Sequence, residues 1–393
     1  MNNRNHWLLP EGIEEILPPH AARLEALCRD MIDLYTGWGY ELVMPPLIEF
    51  LDSLLTGTGE DLELQTFKLT DQISGRMLGL RADTTPQVAR IDAHNLKRDV
   101  PTRLCYLGTV LHTRPEVTGG TRSPLQVGAE LYGHNGIASD VEVLCLMLES
   151  LRVAAVDSIH IDVGHVGIYE SVLEMAGLDA GQEQQLFAVL QRKAASELDK
   201  YISQWSLKPA VAGKLEFLVT AHGDVGVLDE ARTALAGGSK KIAACIDDLK
   251  HVAEEVERRV PGAPLNFDLA ELRGYHYHTG PVFAAYVPGK GQGIAFGGRY
   301  NNIGSAFGRA RPATGFSTDL KTLLATGSYE VPKKSAIFAP LSDDPSLPDA
   351  IKKYRDAGEI VITELPGQDG DPRGMGCDRK LELKNGKWVV SKL

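Results

Sequence analysis

Gln126 and Glu130 stand four residues apart in Pro124-Leu-Gln126-Val-Gly-Ala-Glu130-Leu-Tyr-Gly133, a run apolar enough to read as a strand. At that spacing a strand puts both side chains on one face, an amide beside a carboxylate. A charged Glu in such surroundings is costly unless a partner meets it. The plainer alternative is an edge strand with Glu130 facing water. Upstream, Leu80-Arg-Ala-Asp83-Thr-Thr85-Pro supplies a second carboxylate, the natural acceptor for an ammonium group. Asp83-Thr-Thr-Pro fits equally a helix N-cap with Pro in the first turn. Downstream, Leu272-Arg273-Gly274-Tyr275-His276-Tyr277-His278-Thr-Gly280 and Ala295-Phe-Gly297-Gly298-Arg299-Tyr300 add a guanidinium and aromatic rings. His276 and His278 could begin a metal site, but no third ligand accompanies them and no metal is expected. Gly289-Lys-Gly-Gln-Gly293 lacks P-loop spacing and reads as a hairpin turn. His160-Ile-Asp162 with His165 resembles an acid–base group, yet the alternation of a buried strand accounts for it.

The elements that must position these residues follow from periodicity. Leu24, Leu27, Cys28, Met31, Ile32 and Tyr35 recur at helical spacing over 20–36. Gly37 and Gly39 end that helix, and a strand from Tyr40 to Met44 stops at Pro45-Pro46. Residues 64–82 read as a hairpin turning at Ser74-Gly75, and 103–133 as a strand, a loop and a second strand. Ser139 and Glu142 have capping-box spacing for a helix running through Leu151. After a strand at Ser158–Val163, residues from about 168 to 258 are mostly helical; strands return at 265–287, and a helix is expected near 317–325. Residues 335–393 read as strand, helix, strand and two more strands. The expected fold is α+β: an antiparallel sheet flanked by helices over 1–328, with a helical insertion at about 168–258 and a small C-terminal α/β domain at 335–393. No G-x-G-x-x-G follows a strand, which argues against a dinucleotide-binding parallel sheet.

Composition narrows the partners. The chain has 393 residues, 43% hydrophobic and 24% charged, as a globular protein should. Its 41 Lys and Arg against 52 Asp and Glu leave a net charge of −11, which disfavours nucleic acid as the main partner. Cys28, Cys105, Cys145, Cys245 and Cys377 lie far apart and read as reduced thiols of a cytoplasmic protein. No run approaches the roughly 20 apolar residues of a membrane helix, and no signal-peptide pattern opens the chain. The final Ser391-Lys392-Leu393 matches a peroxisomal address, but the end of a last strand, 387–391, explains it.

Four segments in order, spanning residues 7–325, resemble class II aminoacyl-tRNA synthetases and, within them, histidyl-tRNA synthetase. Gly39-Tyr-Glu-Leu-Val-Met-Pro-Pro46-Leu-Ile-Glu49 is similar to motif 1, which implies a homodimer through the core with Gly39 and Pro46 at its interface. Residues 80–90 resemble the stretch that carries a carboxylate for the substrate's α-amino group, although Asp83 stands where those enzymes usually have Glu. Residues 124–133 resemble the second half of motif 2. The two downstream segments resemble the histidine signature, with His276 and His278 replacing an acidic residue and a tyrosine. The resemblance thus implies a histidine site made from Asp83, Thr85, Gln126, Glu130, Arg273, Tyr277, His278 and Tyr300, in which Glu130 meets an imidazole N–H and Arg273 the ligand carboxylate.

The residues of catalysis are absent from that resemblance. Amino-acid activation builds negative charge on the α-phosphate of ATP, and preorganised guanidinium groups meet that charge with two-point geometry. In Tyr106-Leu-Gly108-Thr-Val-Leu-His112-Thr-Arg114-Pro115 the family's arginine falls on His112, or on Leu111 in the other alignment. In Pro312-Ala-Thr-Gly315-Phe-Ser-Thr-Asp-Leu-Lys321 it has become Lys321. Losing one such donor costs about 3 kcal/mol of transition-state stabilisation, so no catalytic residue and no cofactor are expected. The pattern resembles the family of ATP phosphoribosyltransferase regulatory subunits, paralogues of the synthetase. That implies a non-catalytic subunit that binds L-histidine as effector and assembles with the short-form ATP phosphoribosyltransferase catalytic subunit, expected as a hetero-octamer. It would activate that subunit at the first step of histidine biosynthesis and convey feedback inhibition. An active histidyl-tRNA synthetase, or a histidine binder serving another partner, are the alternatives. The 335–393 unit resembles a reduced anticodon-binding domain without a basic run.

Overall fold

The structure is a computed structural model and describes residues 7–57, 60–115, 120–237, 239–271, 277–332, 334–368 and 371–393. Two units emerge, Met1–Tyr329 and Glu330–Leu393.

In the first unit the apolar stripe of residues 20–36 becomes the helix His20–Gly37, with Leu24, Leu27, Met31 and Tyr35 buried. Its strands are β1 Glu41–Leu42, β2 Ile48–Phe50, β3 Phe67–Thr70, β4 Met77–Leu80, β5 Thr102–Thr109, β6 Leu125–Tyr132, β7 His160–His165, β8 His222–Gly223, β9 Leu265–Asp268, β10 Pro281–Tyr286, β11 Ala295–Arg299 and β12 Ala313–Asp319. Nine of them form one sheet in the order β1-β5-β6-β12-β11-β10-β7-β9-β8, and β2-β4-β3 form a small separate one. The central run from β5 to β7 is antiparallel throughout. The sheet is nonetheless mixed, because β1 runs parallel to β5 and β9 parallel to β7. Both parallel pairs join segments far apart in sequence, which hairpin logic does not reach.

Alternation along β6 divides two environments. Val127, Ala129 and Leu131 enter the main core, shared with Leu27 and Met31 of the first helix and Leu144 and Leu151 of the helix Ile137–Val153. Gln126, Gly128, Glu130 and Tyr132 take the opposite face. Between β7 and β9 the chain runs through helices from Val166–Ala176 to Lys240–Arg259, interrupted by the two-residue β8. No described helix is long and apolar enough to cross a membrane.

Two local expectations need correction. The helix Ile137–Val153 is capped by Gly136 without a side-chain cap, and Ser139 and Glu142 are drawn elsewhere. Ser139 Oγ donates to the Gly136 carbonyl (2.8 Å) and accepts from Arg299 Nη2 (2.9 Å), while Glu142 takes a two-point pair from Arg103 (2.6 and 2.8 Å). Charge-assisted partners outcompete a local cap. Residues 313–319 extend the sheet as β12, and the helix starts only at Leu320, where Asp319 accepts from the N–H groups of Lys321 and Thr322. The second unit holds β13 Ala336–Ala339, the helix Leu347–Asp356, β14 Ile360–Thr363, β15 Cys377–Lys384 and β16 Lys387–Lys392, in the order β14-β13-β15-β16. Ile337, Ala339, Leu347, Val361 and Leu381 form its core.

Candidate functional site

Glu130 sits where β5, β6 and β12 align Leu104, Glu130 and Gly315 in one cross-strand row. Its side chain lies over Gly315 so closely that a Cβ there would stand 1.5 Å from Oε2; only glycine leaves room. Tyr106 passes over Gly128 in the same way, and its hydroxyl donates to Glu130 Oε1 (3.1 Å). Thr85 Oγ1 meets the Tyr106 hydroxyl at 3.1 Å, and the Tyr300 hydroxyl donates to Glu130 Oε2. The Tyr277 ring stacks on Tyr300 with centroids 4.9 Å apart, and Tyr132 meets Tyr300 edge-on. Glu130 is therefore a carboxyl at the bottom of a tyrosine box, only 1% exposed. Burial lifts its pKa from 4.5 to about 8; Asp83 adds to the rise, and hydrogen bonds from Tyr300, Tyr106 and Thr85 oppose it. Burial likewise pushes the Tyr106, Tyr277 and Tyr300 phenols well above 10, so they serve as neutral donors. The Tyr277 hydroxyl is buried and has no hydrogen-bond partner among the described residues.

Four residues along the same face of β6, Gln126 bridges to the second carboxylate. Its Nε2 donates to Asp83 Oδ1 (2.8 Å) and Ser317 Oγ (3.3 Å), and its Oε1 accepts from the Thr84 N–H (3.0 Å). Asp83 also accepts from the Thr85 N–H (3.2 Å). The cap of the helix Thr85–Arg90 is Thr84, without a side-chain bond, and Pro86 lies in the first turn. Asp83 and Gln126 open onto a cavity of about 720 Å³ that also meets His112, Phe296 and Ser317. The Gly289–Gly293 run lies in the turn of the β10–β11 hairpin, and Lys290, Gly291, Gln292 and Gly293 line the same cavity.

Several described cations near this cavity have other partners. Among the described residues Lys290 lines it and no arginine does; the Lys290 ammonium donates to Thr326 Oγ1. His112 is buried, its Nε2 donating to the Ala82 carbonyl (2.9 Å). Lys321 lies 3.2 Å from both Glu14 Oε1 and Ser123 Oγ. Arg81 clamps the carbonyls of Thr109 and Pro45, each at 2.9 Å. Arg122 donates to the His112 and Glu11 carbonyls. Arg299 forms a buried pair with Asp140 (2.7 Å) that ties β11 to the helix Ile137–Val153.

Of the residues singled out from sequence, Asp83, Thr85, Gln126, Glu130, Tyr277 and Tyr300 thus form one connected group. His278 stands at its margin, edge-on to Tyr277 and close over Gly298. Arg273 and His276 lie outside the described residues. Gly39 (φ +82°) and Pro46 are exposed on either side of β1. His160 pairs with Asp162 (2.8 Å), and His165 caps the helix Val166–Ala176 by accepting from the Gly167 N–H. Tyr106, Ser317 and Gly315 belong to the site without having been singled out for it. Tyr106 reads as an ordinary core aromatic until its register with Gly128 is known.

The family model for histidyl-tRNA synthetase matches residues 12–323, and that for the ATP phosphoribosyltransferase subunit HisZ C-terminal domain matches 334–391. Sheet, tyrosine box and first match together define the class: a protein built on the histidyl-tRNA synthetase core. A protein of Thioalkalivibrio sulfidiphilus named ATP phosphoribosyltransferase regulatory subunit is 58% identical over 395 residues, 100% of either chain. One of the same name from Alkalilimnicola ehrlichii is 52% identical over 99% of this chain and 98% of its own. The crystal structure of an ATP phosphoribosyltransferase regulatory subunit/histidyl-tRNA synthetase from Bacillus halodurans C covers 95% of this chain and 97% of its own, with a TM-score of 0.85 at 26% identity. This chain belongs to the family of ATP phosphoribosyltransferase regulatory subunits.

Proposed function

We propose that this chain senses L-histidine for a separate, short-form ATP phosphoribosyltransferase catalytic subunit, activating it and conveying feedback inhibition without catalysing a reaction itself. One observation carries the reading. A tyrosine-walled carboxyl built for a polar ring adjoins Asp83 and Gln126, while no arginine among the described residues lines the cavity next to them. In this reading Asp83 and the Gln126 amide receive the ligand's amino group, and Glu130 receives its ring N–H. Tyr277 and Tyr300 wall the ring, with Thr85 and His278 completing the pocket and Arg273 taking the ligand carboxylate. Glu130 is buried, so the packing over it must part for the ring to enter. That movement is a candidate origin for a coupling free energy to the partner, commonly about 1–3 kcal/mol.

The core pairs with a second copy in this reading. Leu42, Met44, Leu47, Ile48 and Phe50, flanking the exposed Pro46, present apolar surface that a homodimer would cover. The working assembly is a cytoplasmic hetero-octamer with the catalytic subunit. Reconstitution tests the proposal. Adding this chain to a short catalytic subunit should raise phosphoribosyl transfer, and histidine should then inhibit it. Glu130→Ala should keep the activation and lose the inhibition. A chain that neither associates with such a subunit nor alters its rate would refute the assignment.

A further inference from the structure

Apart from Glu130, the buried carboxyls among the described residues are paired with cations, Asp268 with Lys193 at 2.6 Å. Asp140 meets Arg299 and Asp92 meets Arg311, each at 2.7 Å. Glu130 is as deeply buried as either, yet its surroundings differ. Facing it are Tyr106 from β5, Tyr132 from its own strand, Tyr300 beyond β11 and Tyr277 from the segment before β10. Thr85 and Asp83 face it from the start of the helix Thr85–Arg90, and β12 contributes only the bare Gly315. Among the described residues these are phenols, a hydroxyl and a second carboxylate; none is a cation. Burial therefore keeps Glu130 protonated near neutral pH.

We propose that the ligand supplies a cation to Glu130: histidine is held as its imidazolium, and Glu130 supplies the proton to the ring. This rests on the histidine reading above and fixes the charge state that the pocket selects. When histidine arrives with a neutral ring, the Glu130 O–H bond breaks and a ring N–H bond forms. Carboxyl plus imidazole become carboxylate plus imidazolium, with no proton exchanged with solvent. Below the imidazole pKa of about 6.5 the ligand arrives already charged, and the Glu130 proton is released to water, one per ligand bound. The ligand class is thus an amino acid whose heteroaromatic ring accepts a proton near neutral pH. A ring of equal size that cannot take the proton leaves Glu130 a neutral acid, so a neutral hydrogen bond replaces the stronger charge-assisted pair.

Calorimetry on the full chain tests this with L-histidine and its isostere 1,2,4-triazole-3-alanine, whose ring does not protonate near neutral pH. At about pH 7.5 the isostere should bind about tenfold or more weakly than histidine. Glu130→Gln should shrink that gap to about threefold or less. In buffers of different ionisation heat, proton release should approach one per histidine at about pH 5 and vanish at about pH 7.5. Ring-nitrogen NMR shifts of bound, labelled histidine in the unaltered protein should be those of imidazolium even at about pH 7.5. Histidine and the isostere binding equally, with a neutral-ring spectrum, would overturn the charge state while leaving histidine sensing intact. If histidine itself does not bind, both readings fall.

Discussion

Exchanging Glu130 for Gln removes one dissociable proton while preserving the shape that lies over Gly315. The folded carboxyl titrates near 8 against an ordinary 4.5. At roughly 1.4 kcal/mol per pH unit, that difference corresponds to about 5 kcal/mol. Between pH 4.5 and about 8 the unfolded chain has lost this proton and the folded chain has kept it. The folded state then binds more protons, so the contribution to stability falls as pH rises through the window. Below it the penalty is absent, and above it the penalty is complete. Glutamine has no such slope. Urea unfolding of both proteins, followed by tyrosine fluorescence at about pH 5, 6.5 and 8.5, should therefore show curves that diverge. The variant should be no more stable than the native chain at the lowest pH and better by several kcal/mol at the highest. Parallel curves would refute the reasoning. A native chain that gains on the variant with rising pH would do so more sharply, since that is the behaviour of a carboxylate with a cationic partner.

Other perturbations follow from the same contacts. Gly315→Ala places a methyl group on the Glu130 carboxyl, so histidine binding measured by calorimetry should be abolished, with about 1–3 kcal/mol lost in a denaturant titration. Asp140→Ala leaves Arg299 buried without its counter-charge and should cost about 3–5 kcal/mol in the same titration. Burial raises Cys28, Cys105 and Cys145 to about 11 and Cys245 to about 12, so a thiol reagent at about pH 8 should label these four slowly in the native protein and quickly after denaturation.

What the sequence made legible was chiefly periodic. The alternation in residues 124–133 placed Gln126 and Glu130 on one face because that face is decided within a single strand. The partners of that face come from other strands, and no local pattern announces them: Tyr106 through β5, Ser317 and Gly315 through β12. The capping box at Ser139 failed for a related reason. Its spacing is local, but Arg103 and Arg299 reach it from distant segments and bind more strongly. The parallel pairs at β1 and β9 were equally out of reach, since each depends on a crossover rather than a turn. The place of Lys321 in the family pattern was legible, whereas its contacts with Glu14 and Ser123 needed the fold.

The proposed role depends on amino-acid recognition at Glu130 beside a cavity whose described lining holds no arginine. Titrating the full chain with L-histidine, alone and in the presence of magnesium ATP, addresses this most directly. Saturable histidine binding, unchanged by ATP and without any heat from ATP itself, is the predicted result. Absence of histidine binding, or ATP uptake with histidine-dependent release of pyrophosphate, would contradict it.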